Sequence, residues 1–112
     1  MARFRLIGDV SSDNLAAVRP VLIQAVGLVA VTDTPDGVHV EGVMDGADAR
    51  EVNRRLLSAL RRAEKRTRLR AEWIGGGYIY RFFDGYIYRF FDYVPKSTRP
   101  AVPEGQDGGE PI

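Results

Sequence analysis

Eight basic residues crowd into a stretch of seventeen: Arg54, Arg55, Arg61, Arg62, Lys65, Arg66, Arg68 and Arg70. On a helix and the strand that follows it, such a set could neutralise several phosphates, the electrostatic half of nucleic-acid binding. The stacking half would need exposed aromatic rings, and those also cluster. Residues 77–84 read Gly-Tyr-Ile-Tyr-Arg-Phe-Phe-Asp, and residues 85–92 repeat the octapeptide without change. Eight of the eleven aromatic residues lie in these two copies, so Tyr78, Tyr80 and Phe82 are candidate stacking platforms. Two observations count against that chemistry. The Gly-aromatic signature of an RNA-recognition motif is absent, and a basic helix face lies opposite the sheet surface such modules use. A solvated helix face, with Glu51 pairing Arg55 one turn on, accounts for the cations more simply.

Other candidate chemistry is sparse. His39 is the single histidine and there is no cysteine, which excludes the usual zinc sites and all disulfides. Ser11, Ser12, Ser58 and Ser97 have no base at a suggestive spacing, and the first two suit helix capping. Asp9, Asp13, Asp33, Asp36, Asp45 and Asp48 fall at element ends and turns, where aspartate is at home. Gly75-Gly76-Gly77 is followed by neither a helix nor a Lys-Ser/Thr pair and so is a turn, not a phosphate loop. No catalytic constellation and no cofactor are expected.

The elements that would position these residues follow from patterning. With 112 residues, 45% apolar and 28% charged, the chain suits one globular domain. Net charge is +1 but uneven: residues 1–47 hold three arginines against six acidic residues, whereas residues 48–70 hold nine cations against three. The longest apolar stretch, 21–31, holds eleven residues, short of the roughly 20 a membrane span needs, and a cytoplasmic location is expected.

Residues 3–10 alternate as a first strand. The Ser11-Ser12-Asp13-Asn14 cluster caps a helix carrying Leu15, Val18, Leu22 and Val26, in which Pro20 should cause a kink or a restart. Residues 28–32 predict a buried strand, joined through Thr34-Pro35-Asp36-Gly37 to an alternating strand that runs to Val43. Val52, Leu56, Ala59, Leu60 and Ala63 place a helix over 49–66, and residues 67–74 alternate again around Trp73. The order β-α-β-β-α-β resembles the ferredoxin-like split βαβ arrangement, an α+β fold that implies an antiparallel sheet with both helices on one face. The domain should span residues 1–94, and the Pro-, Gly- and acid-rich residues 95–112 should be a disordered tail.

The duplication poses a geometric problem. One strand from Tyr78 to Val94 would be roughly 55 Å long, against a domain diameter of roughly 35 Å. The alternatives are an overhanging strand and a fold-back at Asp84-Gly85, a dipeptide suited to a tight hairpin. The fold-back is favoured and would set Phe83 opposite Tyr86, Arg81 opposite Tyr88 and Ile79 opposite Phe90. Phe82 would face Ile87, and Tyr80 would face Arg89. Either geometry predicts an aromatic edge that self-associates. The expected function is thus a non-catalytic, homo-oligomeric interaction module using Tyr78, Tyr80, Arg81, Phe82, Tyr86, Tyr88, Arg89 and Phe90. A nucleic-acid-binding domain and a small-ligand or enzymatic domain are the alternatives.

Overall fold

Apolar alternation in the first ten residues writes the inner face of the sheet. The computed structural model describes residues 1–91, with side chains through Gly85. Strand β1 (Ala2–Ser11) buries Phe4, Leu6 and Val10 and turns Arg3, Arg5 and Asp9 outward. It lies between β3 (Gly37–Gly46) and β4 (Arg68–Gly75), antiparallel to both. The pairings Leu6–Gly42, Leu6–Trp73, Val10–Val38 and Val10–Leu69 keep every inward residue in register across the three strands. Helices α1 (Leu15–Ala25) and α2 (Ala49–Ala63) contact each other and cover this apolar face, with Val18, Leu22, Val52, Leu56 and Leu60 closing one core around Trp73.

Both helices start where capping chemistry directs. Asn14 caps α1 by accepting from the Ala17 N–H, and the Ser12 hydroxyl in turn accepts from the Asn14 N–H. At α2, Asp48 accepts from the Glu51 N–H at 2.8 Å and Glu51 reaches back to the Ala47 N–H at 2.6 Å, a reciprocal cap. Pro20 neither splits α1 nor restarts it; the helix runs through, with the proline ring exposed. A surface position lets solvent serve the carbonyl that the proline leaves without a donor. Helix α2 ends at Ala63, three residues before the patterning suggested, because Thr67 folds back to donate its hydroxyl to the Glu64 carbonyl.

Strand β2 (Gly27–Thr34) differs from the buried strand expected. Among the described residues it is an outer strand paired only with β3; Leu28 is 84% exposed with φ +50°. A register shift between Gly27 and Ala30 explains the difference: one residue too many on β2 throws Leu28 out of the ladder.

The sheet also continues beyond β4. Gly76 (φ +62°) and Gly77 (φ +86°) form a two-residue turn in the left-handed region, which glycine enters without strain, and β5 (Tyr78–Phe83) returns along β4. The first five strands stand in the order β2-β3-β1-β4-β5, so β4 is an inner strand and the exact ferredoxin-like order is not matched. The chain is an α+β fold with an antiparallel sheet and two helices. Strand β6 (Tyr86–Phe91) pairs antiparallel outside β5, folding back at Asp84-Gly85. Phe83–Tyr86 and Phe82–Ile87 pair as the hairpin geometry suggested, but a register shift then sets Arg81 opposite Arg89, Tyr80 opposite Phe90 and Ile79 opposite Phe91. Tyr88 has no partner in this ladder, as expected of a bulged residue. Residues 95–112, read as a tail from composition, lie outside the described residues. Among the described residues no helix is long and apolar enough to cross a membrane.

Candidate interaction surface at the duplicated strands

The first octapeptide is held to the domain by its last residue. Asp84 is 8% exposed and adopts φ +55°, a conformation aspartate tolerates better than most residues. Its N–H donates to the Leu69 carbonyl at 2.6 Å, and its Oδ1 accepts from the Leu69 N–H at 2.9 Å. The carboxylate thus takes the place a backbone carbonyl would hold and extends the β4–β5 ladder past Phe83, the last residue of β5. Arg68 Nε donates to Oδ2 at 3.0 Å, and Arg61 Nη2 stands 3.3 Å from Oδ1. Two guanidinium groups and an amide therefore hold one carboxylate, the kind of charge-assisted set that makes burial of a carboxylate tolerable.

The same contact runs into the core. Asn53 Nδ2 donates to the Asp84 carbonyl at 2.7 Å, and Asn53 Oδ1 accepts from the Trp73 indole N–H at 2.9 Å. Arg61 Nε also donates to the Thr67 carbonyl, and the Thr67 hydroxyl lies 2.9 Å from that of Ser12. Asn53, Thr67 and Asp84 are the three buried polar or charged residues among the described residues, and all belong to this one network. It ties α2, β4, the loop before β4 and the hairpin turn together.

The aromatic residues divide by face. Phe82 is 1% exposed and packs in the core opposite Ala71, so its ring serves stability. Tyr80 is half-buried, edge-on to Phe4 at 6.3 Å, and burial pushes its phenol above the usual tyrosine range. Tyr78 is exposed at the sheet end, its ring centroid 6.1 Å from that of Tyr80. On the opposite face Arg81 Nε donates to Glu72 at 2.7 Å. Phe83, missing from the residues singled out by sequence, is 40% exposed and lies beneath the Arg68 and Arg70 guanidinium groups, at 5.1 and 5.8 Å. Strand β6 carries Tyr86, Tyr88, Arg89 and Phe90, whose side chains lie outside the described residues.

The phosphate-binding candidates are only partly available. Arg55 donates to the Asp45 carbonyl, Arg61 is committed to Thr67 and Asp84, and Arg66 stands 4.0 Å from Asp13. Arg54 and Arg62 are exposed on α2, and Lys65 is exposed in the turn that follows it. The uncovered face of the sheet is a lattice of opposite charges. Arg3 pairs with Asp45, Arg5 with Glu41, and His39 is held by Asp9 at 3.0 Å and Glu41 at 2.9 Å. No group of three potential metal ligands is present among the described residues.

Sequence reasoning took Asp84 as a turn former. The signal for its larger role was Asn53, which sits one position along from Val52 on the apolar stripe of α2. An amide in that position needs buried partners, and an indole N–H and a left-handed turn carbonyl supply them.

Two outcomes test this arrangement. Asn53→Ala strands the Trp73 indole N–H and the Asp84 carbonyl in the interior, and should lower unfolding free energy by about 2–4 kcal/mol in chemical denaturation. Hydrogen bonds to Glu41, then to Asp9, raise the His39 pKa above its ordinary value, since the imidazolium can donate to both carboxylates. Its contribution to stability is therefore complete below the unfolded value of about 6.5 and is lost as pH rises through the higher folded value. Imidazole NMR titration should give a folded pKa above 6.5, and His39→Gln should remove that fall in stability.

Comparison with known proteins returned no match: no family model, no curated protein and no solved structure is significantly similar to the chain.

Proposed function

We propose that the chain is a non-catalytic interaction module that self-associates through its C-terminal β segment. The observation that carries this reading is that the octapeptide already pairs with a copy of itself: β5 and β6 have one sequence, Tyr-Ile-Tyr-Arg-Phe-Phe, and run antiparallel. A segment that recognises its own copy within one chain can recognise it in another, because backbone pairing supplies the affinity and identical side chains the register. The outer edge of β6 is the place for such a contact. The opposite edge is protected. At β2 the bulge and the left-handed Leu28 break the ladder, Arg19 pairs with Asp33, and Pro35 follows the last residue of the strand.

A ferredoxin-like origin is supported by the order of the first four strands, β2-β3-β1-β4, with β5 and β6 added beyond β4. That likeness carries no function with it. Nucleic-acid binding is the second reading and rests on the exposed Arg54, Arg62 and Lys65; the commitment of Arg55 and Arg61 to the fold weakens it.

Mass measured in solution at high micromolar concentration tests the proposal. The full chain should be a dimer or larger, and a chain lacking Gly85–Asp92 should be smaller. If both are monomers, self-association through this segment is refuted.

A further inference from the structure

The place occupied by β5 is a peptide-binding slot, and the chain carries two ligands for it. The slot has four determinants: the β4 ladder from Arg70 to Gly75, the buried seat of Phe82 opposite Ala71, the ring of Phe4 against Tyr80, and the polar seat of Asp84. Every one is satisfied by a residue of the octapeptide, and the second copy offers Tyr88, Phe90 and Asp92 at an offset of eight. Eight is even, so the inward and outward faces of the strand are preserved. We propose that the second octapeptide can replace the first in this slot, in the same chain, so that residues 77–84 and 85–92 compete for β4.

The flanking positions permit the exchange. With the second copy docked, Asp84 and Gly85 would stand where Gly76 and Gly77 now turn. Gly76 has φ +62°, and Asp84 already holds φ +55°, so aspartate can serve at that position. At the other end Tyr93 would stand where Gly85 is now. A Cβ at Gly85 would meet only Leu57 Cδ2, at the ordinary contact distance of 3.9 Å, so a side chain is admitted. What opposes the exchange is chain entropy and the loss of β6. The connection after Gly75 would lengthen from the two residues 76–77 to the ten residues 76–85, which disfavours the exchanged form by roughly tenfold.

Three variants of the full chain test this: Phe82→Ala, Phe90→Ala and both together, each measured by equilibrium chemical denaturation. Truncating a ring in the slot empties a core seat, so a chain with no intact copy should lose a hundredfold or more in its folding constant. A chain with one intact copy should lose less, because that copy takes the slot. The loss in the double variant should therefore exceed the product of the two single losses. Direct contact between the two rings would give the opposite sign, since removing both partners counts one contact once. A double loss equal to or below the product overturns the proposal. So does a Phe82→Ala chain that fails to fold, because an intact Phe90 has then failed to replace the missing ring.

Discussion

One carboxylate decides how this sheet ends. A buried, unpartnered aspartate would oppose folding by several kcal/mol, yet Asp84 sits in the interior at the tip of a hairpin. It is tolerated because its oxygens meet the Leu69 N–H, Arg68 and Arg61, while its own backbone pairs with Leu69 and Asn53. These partners come from two separate parts of the chain, helix α2 and strand β4. The position of the hairpin, the orientation of Asn53 and the hydrogen bond of the Trp73 indole all follow from that arrangement. Removing the carboxylate would leave two arginines and a strand amide without their shared acceptor.

This constraint also gives the duplication its meaning. A repeated aromatic strand with no anchor would be free to slip along β4 two residues at a time. The aspartate closing each copy fixes the docked register, since one position alone brings a carboxylate to the Leu69 N–H. Phe82 reinforces that choice from the apolar side, with its ring buried opposite Ala71. The octapeptide is therefore a complete docking unit, with a backbone ladder, a buried ring and a charged end stop. Duplicating such a unit creates competition for one seat and leaves the other copy to form an edge. The charge lattice on the uncovered face and the bulged β2 do not share this character, and both discourage chance association.

Much of the architecture was legible in the residues. Alternation from Arg3 to Val10, the caps at Asn14 and Asp48, the Pro35-Asp36 turn and the stripe on α2 all act locally, and local rules described them. Leu28 was misread as buried because hydrophobicity alone cannot reveal a bulge, which depends on the pairing register with β3. The end of the sheet was open for a related reason. Patterning sees that Tyr78–Phe83 is a strand, but not that two glycines return it along β4. The polar network was least visible. Asn53, Arg61, Thr67 and Asp84 are far apart in sequence, and each has an ordinary local explanation. Only the fold brings them to one point, and only burial makes their pairing obligatory.

The central claim is that the Asp84 carboxylate acts as a structural strand partner to β4. Native-state hydrogen exchange of the Leu69 amide tests it most directly, because the acceptor of that amide is a side chain. The account predicts that Leu69 exchanges only with global unfolding, as slowly as the amides of the inner strands β1 and β4. Exchange of the Leu69 amide by local opening, at a rate typical of a sheet end, would contradict it.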